Sequence, residues 1–546
     1  MNILGLSSPI SFNPAACLYR DGRLVAAVEE ERLIRFKQAP HMAPLRAIDH
    51  VLAEGGIALS EVDAIAVGHE GPHGSFARVI GEFLRGRIPI TRRDLEREVL
   101  YYLHHAVLWR GTKGRLVADP SKLFMVRHHL AHAASAFLLS DFEEANIISL
   151  DGRGGFESGI LAVGRGNRIE ILDSIPLASS WGHLYEKITA KLGFRPHSDE
   201  GKVMGLAAYG QGDVLPCVDW DEPFPRIRTS AFRAFLADLP QRRPDEPLTD
   251  AHRNLAASLQ NTLERAVLLM NRYLERRTGS RNLCLAGGIA MNCSMNGVLY
   301  RGPYTDRIFI QPASSDSGTA LGAAAWVHGR LTGQRPEGPF DHAYWGPAYP
   351  NEAIGEALRK TKVKNYERVD DICAVTARLL AENHVVGWFQ GRMELGARAL
   401  GGRSILANPS VPGMRDRVNR DVKWREMWRP FAPSIQAEHL EDYLEGACPS
   451  PFMIHAFHAR ADRFDEIQAA VHVDGTCRPH SVERAAHPRY WQLLEEFRKL
   501  TGVPALLNTS FNVKGQPIVN TPLDAIATFY SCGLDYLAIG DYLVWK

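Results

Sequence analysis

The order of elements along the first 330 residues restricts the fold more than any other feature of the chain. Residues 2–6 (NILGL), 14–20 (PAACLYR) and 24–29 (LVAAVE) read as short strands, with a tight hairpin at Asp21-Gly22. A helix is expected from Ala43 to Glu54, and DAIAVG (63–68) reads as a buried strand. The order then recurs. NIISLDGRGG (146–155) is a strand running into a glycine-rich turn, ILAVGRGNRIEILDSI (160–175) is a second hairpin, and RNLCLAGGIAMN (281–292) is a strand entering a glycine turn and then a helix. A meander followed by strand–helix alternation fits a mixed α/β layer, here in two lobes at about 1–140 and 145–330. No sequence repeat accompanies the doubling, which rests on element order alone.

The chain has 546 residues, more than the ~250–300 that one packed core serves. The Gly- and Pro-rich stretch RLTGQRPEGPFDHAYWGPAYP (330–350) is the best linker, with the boundary placed at 336–350 and a separate domain over 351–546. Composition is 45% hydrophobic and 23% charged with a net charge of +1. That balance gives no reason to expect a nucleic-acid or membrane-surface partner. No stretch is apolar for the ~20 residues of a membrane span. The N-terminus carries no early positive charge and reads as a first strand rather than a signal peptide. Eight scattered cysteines form no CxxC pair, so neither a disulfide framework nor a zinc ribbon is signalled, and a reducing cytosol is the expected compartment.

VRHHLAHAASAF (126–137) places three histidines within five positions of an otherwise apolar run. On a helix, His128 and His132 are i and i+4 and share a face, so one cation could bridge them at metal–imidazole distances of about 2.0–2.1 Å. His129 and His132 are a weaker pairing, and the bland alternative is two histidines packed on a buried helix. HExxH would signal a zinc protease, but the second position here is His129. A third ligand would decide. Asp316, in the turn of QPASSDSGTALGAA (311–324), is a candidate that would give a two-histidine, one-carboxylate site; its alternative role is a helix N-cap.

Two glycine turns, AGGIAMN (286–292) and LDGRGG (150–155), could approach a phosphate or be simple turns, and EGKVMGLAAYG (200–210) is a further unusual stretch, whose Lys202 would meet a phosphate or carboxylate or stand on the surface. Between 392 and 429 lie Arg392, Arg398, Arg403, Lys423, Arg425 and Arg429, interleaved with glycines, Trp424 and Trp428. Guanidinium groups among aromatic residues favour a pocket over a solvated face. In PALLNTSFNVKGQPIV (504–519), Asn508, Thr509, Ser510, Asn512 and Lys514 end an apolar strand. They could hydrogen-bond ribose, phosphate or carbamate oxygens, or form an Asx-type turn.

Together, EEERLIRFK, HHLAHAASAF, LDGRGG, EGKVMGLAAYG, AGGIAMNCSMNG, PASSDSGTALGAA, GRMELGARALGGRSIL, NRDVKWREMWRPFAPSI and NTSFNVKGQPIV resemble the ATP-dependent carbamoyltransferases that modify natural products and nodulation factors. The resemblance spans the whole chain in the family's order. It implies an α/β protein: an actin-like (ASKHA, Kae1-like) two-lobed N-terminal domain over 1–335 and a YrdC-like α/β domain over 351–546. It implies a metal site of His128, His132 and Asp316 around a divalent ion (iron, with zinc or manganese as alternatives). Asp151, Gly152, Gly287, Gly288 and Asn292 would border a carbamoyl-adenylate, with Lys37, Lys202 and His129 as catalytic candidates. Arg398, Lys423, Arg425, Arg429, Asn508, Ser510 and Asn512 would bind ATP, with its magnesium, and carbamoyl phosphate.

The implied chemistry runs in two steps: carbamoyl phosphate and ATP give carbamoyl adenylate, whose carbamoyl group then passes to a hydroxyl of a specialised small molecule. An amine or thiol acceptor is the alternative. One departure stands out. Where the family commonly has a His-Asp pair in the first hairpin, this chain has Phe12 and Asn13. The family's histidine is a plausible base, so the metal, His129, His69 or Lys37 would have to serve, or transfer would be impaired. Phe12 also changes the pocket's shape, towards an apolar or aromatic acceptor. Residues 69–118, containing DLEREVLYYLHHAVLWR, are a candidate cap over the acceptor site. Acceptor, metal and oligomeric state are left open by the sequence.

Overall fold

The structure, a computed structural model, describes every residue except 9–10, 71–98, 101, 105, 108, 112–113, 115–118, 156 and 222. The expected cap over 69–118 therefore lies, apart from short pieces, outside the described residues. The chain divides into one unit of residues 1–34 and 38–340 and a second of 35–37 and 341–546. The division at 340–341 falls inside the stretch expected to be the linker. The inclusion of residues 35–37 in the second unit had no sequence signal.

The first unit contains two five-stranded sheets of the same topology. In the first, β1 (Asn2–Leu6), β2 (Ala15–Arg20) and β3 (Arg23–Glu29) form an antiparallel meander. Then β4 (Ala64–Val67) and β5 (Leu123–Met125) add in parallel, giving the order β3-β2-β1-β4-β5. Asp21 and Gly22, at φ 50° and 84°, make the β2–β3 hairpin with both central residues left-handed, as a short twisted hairpin requires. In the second, β6 (Glu144–Gly154), β7 (Glu157–Arg165) and β8 (Arg168–Pro176) repeat the meander. After a two-stranded ribbon, β9 (Val218–Asp219) with β10 (Arg226–Ile227), come β11 (Asn282–Ala286) and β12 (Arg307–Ile310). The order is β12-β11-β6-β7-β8. This doubled, identically wound sheet is the actin-like arrangement.

Each sheet's last strand is followed by a helix that crosses to the other sheet. The helix His128–Phe137 follows β5 and packs on β6, β7 and β11; the helix Gly318–Thr332 follows β12 and packs on β1, β2 and β4. Their small residues let the two backbones meet. A Cβ on Gly322 would stand 1.8 Å from the carbonyl oxygen of Ala131 and 2.6 Å from the amide nitrogen of Ser135. That contact sets the height of the histidine helix.

One local reading is corrected. LDGRGG is not a turn after a strand: β6 continues to Gly154, and its pairing with β7 is irregular between Leu150 and Gly154. Such a bulge re-aims side chains without ending the strand, and Asp151 lies within it.

The second unit is built on one mixed eight-stranded sheet. Its strands are β13 (Tyr366–Arg368), β14 (Val386–Phe389), β15 (Arg403–Ala407), β16 (Ala432–Gln436), β19 (His480–Val482), β20 (Ala505–Ser510), β21 (Tyr536–Ile539) and β22 (Tyr542–Trp545), in the order β13-β22-β21-β14-β15-β20-β16-β19, with β17 (Phe457–His458) and β18 (Thr476–Cys477) forming a separate ribbon. Among the described residues no helix is long and apolar enough to cross a membrane, and the eight cysteines are unpaired.

Replacing Gly322 by alanine puts a methyl into occupied backbone space. Overpacking of this kind costs about 1–3 kcal/mol. G322A should lower the denaturation midpoint with an unchanged denaturant slope, and wild-type stability would show that the helices are not in contact there.

Candidate metal centre and anion site

His128 and His132 lie on the crossing helix, both buried, with their Nε2 atoms 3.1 Å apart. Asp151 Oδ2, from the bulge in β6, is 3.2 Å from His132 Nε2 and 3.7 Å from His128 Nε2. Asp316 Oδ1, from the turn before the second crossing helix, is 3.6 and 3.8 Å from His128 and His132 Nε2. One atom from each residue lies within 4.8 Å of all the others. Metal–ligand bonds of about 2.0–2.2 Å place neighbouring donors about 3–4 Å apart, so the spacing fits a single ion.

The hydrogen bonding supports the same fit. His128 Nδ1–H donates to the Gly68 carbonyl at 3.2 Å. That fixes the tautomer, leaving an Nε2 lone pair aimed into the cluster, as when a metal-bound histidine donates its other ring N–H to a carbonyl. Buried Asp151 Oδ2 has no hydrogen-bond partner among the described residues, despite its closeness to His132. Lone pairs thus converge with too few hydrogens between them, and two carboxylates demand a compensating cation. Burial alone would lower the His132 pKa, but the Asp151 and Asp316 carboxylates beside it outweigh that and lift the group to about 9. Burial opposes ionisation of Asp151, yet the His128 and His132 rings beside it hold the carboxyl well below its ordinary range. In the ion's absence, a proton on His132 takes its place.

Asp316 does not cap its helix. Ser317 occupies the N-cap position, and the Asp316 carboxylate instead accepts the Phe12 amide N–H at 3.1 Å. Asp151, expected only at the edge of an adenylate site, joins the donors. The signal available for it was an acid at the end of a buried strand, which glycines around it disguised as a turn. Those glycines lie close to the same atoms. Gly152 N–H donates to Asp151 Oδ1 at 2.7 Å, and a Cβ on Gly288 would come to 3.0 Å from that oxygen. Gly287, at φ 87°, abuts the Leu150 carbonyl. Gly154 leaves room for the imidazoles, since its Cβ would stand 2.4 Å from His128 Cδ2.

Other expected residues are placed differently. His129 is fully buried, its Nδ1 3.4 Å from Ser149 Oγ, and burial pushes its pKa well down, keeping it neutral. Lys202 pairs with Asp199 at 3.1 Å and lies over the Phe194 ring. Asn292 caps the helix Cys293–Arg301 by accepting from the Met295 amide, and bonds Gln260.

In the second unit, a buried cation site stands at the end of β20. Lys423 Nζ donates to the Ser510 carbonyl at 2.8 Å, the Asn512 carbonyl at 2.9 Å and Asn512 Oδ1 at 2.7 Å. Burial, then Arg425 and Arg429, press its pKa well below the usual lysine value, and exposed Lys37 adds to the effect. Arg425 is likewise lowered, by burial and then by Arg429. It donates to Asn419 Oδ1 at 2.7 Å and stacks on Phe431. Among the described residues neither Lys423 nor Arg425 has a carboxylate at ion-pair distance. Arg478, which the sequence reading passed over, contributes charge at Arg425, and its buried Nε makes no hydrogen bond among the described residues.

Two members of the arginine-rich stretch, Arg392 and Arg403, bond the backbone. Buried Arg403 donates to the carbonyls of Gln390, Gly391 and Pro347 and stacks on Phe389, while Arg392 donates to the Gly346 and Trp345 carbonyls. Arg398 is half-buried. Asn508 is buried inside the sheet, donating to Ala399 and Ser434.

Comparison with known proteins gives the frame for both sites. The family description "Carbamoyltransferase N-terminus" matches residues 2–219 and 228–325, and "Carbamoyltransferase C-terminus" matches 377–546. Nodulation protein NolNO of Sinorhizobium fredii is 39% identical over 561 aligned positions, covering 100% of this chain and 80% of that protein. Nodulation protein NolO of Bradyrhizobium diazoefficiens is 41% identical over 435, covering 77% of this chain and 79% of the relative. Among solved structures, full-length HypF in its phosphate- and nucleotide-bound form is similar at 13% identity and a TM-score of 0.40, over 61% of this chain and 46% of that one. The two family matches leave 220–227 and 326–376 unmatched and take in the two sites just described: the chain belongs to the carbamoyltransferase family and is a carbamoyltransferase enzyme.

Proposed function

We propose that the protein is an O-carbamoyltransferase that forms carbamoyl adenylate from carbamoyl phosphate and ATP and passes the carbamoyl group to a hydroxyl of a small molecule. The observation that carries this reading is the pairing of two incomplete electrostatic sites in one chain. One gathers buried Lys423 and half-buried Arg425 with no carboxylate of the described residues at ion-pair distance; the other gathers two carboxylates and two imidazoles with no lysine or arginine of the described residues at ion-pair distance of the carboxylates. Burying such groups without a partner is costly, and a bound ligand of opposite charge offsets the cost.

In the first step, water cleaves carbamoyl phosphate to carbamate and phosphate, its oxygen entering the products as one bond to the bridging oxygen breaks. A carbamate oxygen attacks the α-phosphorus of ATP and pyrophosphate leaves. Lys423, Arg425, Arg429 and Arg478 neutralise the charge that builds on the phosphates, with Ser510 and Asn512 holding the Lys423 ammonium in place. Magnesium would accompany the nucleotide.

In the second step, the acceptor oxygen attacks the adenylate's carbonyl carbon, the C–O bond to AMP breaks, and the hydroxyl proton is lost. His128, His132, Asp151 and Asp316 would hold a divalent ion, iron being the expected one and zinc or manganese the alternatives, which supplies Lewis-acid polarisation when bound. Gly68, through its carbonyl, fixes the His128 tautomer. The Phe12 amide fixes Asp316. Gly152 and the Gly287-Gly288 turn keep the carboxylate of Asp151 approachable.

Three outcomes test this reading. R429A should cut pyrophosphate release that depends on both ATP and carbamoyl phosphate by about 100-fold or more; near-wild-type release would remove the anion site. H132A should retain that release but lose carbamoyl transfer to any accepted alcohol by at least about 100-fold, more than a lost outer partner costs, and normal transfer would refute the metal assignment. Because the folded His132 pKa is raised to about 9, the metal-free protein carries its proton at neutral pH. Zinc added at pH 7.5 should therefore release about one proton from the site, read calorimetrically in buffers of different ionisation enthalpy. The stability this proton gives the metal-free protein is fully present below about pH 6.5 and is lost as pH rises through 9.

A further inference from the structure

The loop between β1 and β2 brings Phe12 to the edge of the four-donor cluster. The hydrogen bond from its amide to Asp316 Oδ2, at 3.1 Å, ties its backbone to one of the donors. The half-buried Phe12 ring stacks on His197 with centroids 4.7 Å apart and planes 17° apart, and meets His41 at 5.5 Å and 59°. This stack is braced from behind. The His197 amide donates to Glu200 Oε1 at 2.6 Å, the Gln38 side-chain amide donates to the His197 carbonyl, and His197 Nε2 stands 3.6 Å from Glu186 Oε1. Glu186 also faces His183, with Oε2 3.8 Å from Nε2, and the His183 ring lies beside Gly152, next in the chain to Asp151.

The backbone around this wall is strained. Asn13, Gln38, Ala39, His41 and His197 hold φ values of 59°, 63°, 37°, 58° and 62°. Residues with a Cβ keep such values only where surrounding structure imposes them, and such positions gather at ligand clamps. Five of them frame one aromatic ring, which fixes a flat face against the cluster and gives it a polar rim of His183, Glu186 and His197.

We propose that Phe12, backed by His197 and His41, is the specificity-determining wall of the acceptor site and selects a hydroxyl carried on or beside a flat ring. This rests on the carbamoyl-transfer reading above. A hydroxyl attacking a carbonyl held at the four donors must pass within a few ångströms of Asp316, and Phe12 is one hydrogen bond from that residue. An aromatic face gains contact and quadrupole energy from another ring or from the C–H face of a saturated one, and little from a thin open chain. A histidine at this place would offer a polar edge; Phe12 offers none and selects by shape, while the rim bonds the ring's substituents.

The test offers the protein, with ATP, carbamoyl phosphate and anaerobic iron(II), four probes: benzyl alcohol, methyl glucoside, 1-butanol and serine. Carbamoylated product is measured by mass spectrometry, and pyrophosphate release is measured alongside to report the first step separately. The expected result is a kcat/KM for the ring probes about 10-fold or more above that for 1-butanol and serine. F12A should erase the difference by raising KM for the ring probes, with kcat little changed. F12L, which keeps bulk but loses the flat face, guards against a folding defect and should do the same. Equal use of ring and open-chain probes, survival of the preference in both variants, or pyrophosphate release with no ring probe accepted would each overturn the inference. Absence of carbamoyl-phosphate-dependent pyrophosphate release from the unsubstituted protein would instead sink the reading beneath it.

Discussion

Two imidazole nitrogens facing each other at 3.1 Å, with two carboxylates within 4 Å, form an arrangement that needs a cation. Without one, the carboxylates repel and only a proton on His132 stands against their charge, in a largely buried space that water screens poorly. Much of the first unit can be understood as the means of holding these four groups together. His128 and His132 come from a helix after the first sheet, Asp151 from the first strand of the second sheet, and Asp316 from the turn after its last strand. The exchange of helices between the sheets makes the meeting possible, because each helix crosses to cover the sheet it did not follow. Gly322 allows the helices to touch backbone to backbone, and Gly154 gives the imidazoles their room.

The two halves of the first unit are wound alike but used differently. The connection after the first strand of one sheet carries Phe12 and Asn13; the first strand of the other runs into a bulge that carries Asp151 and Gly152. The second of these positions supplies a donor. The first supplies an amide that orients a donor and a ring that stands against it. A doubled fold thus gives two topologically matched loops facing one centre, and the sequence assigns charge to one and shape to the other. In the second unit the logic is inverted: polar oxygens at the end of β20 fix an ammonium amid guanidinium groups, and the charge left over suits a phosphate.

Much of this was visible in the residues, for definable reasons. The strands of the first sheet and the hairpins were legible because alternating apolar runs bounded by Asp-Gly or Gly turns have few other folds. His128 and His132 were legible as a pair because a helix puts i and i+4 on one face. Asp316 was suggested by composition but looked like an N-cap, and only tertiary structure turned its carboxylate inward. Asp151 was not legible as a donor because the glycines around it imitate a turn, whereas an irregular stretch of β6 continues the strand and brings its carboxylate to the histidines. Arg392 and Arg403 looked like phosphate ligands, yet buried carbonyls claim their donors, which no linear pattern reveals. Arg478 carries no signal in the sequence because it lies far along the chain from Arg425, whose charge it meets in space.

The central claim is that a divalent ion sits among four donors from three segments of the chain. Anomalous scattering from crystals grown anaerobically with iron(II), measured across the iron absorption edge, tests it most directly. The account predicts one strong peak per chain bounded by His128 Nε2, His132 Nε2 and carboxylate oxygens of Asp151 and Asp316. No peak there at full iron loading, or a peak held by other residues while these four remain hydrogen-bonded to one another, would contradict it.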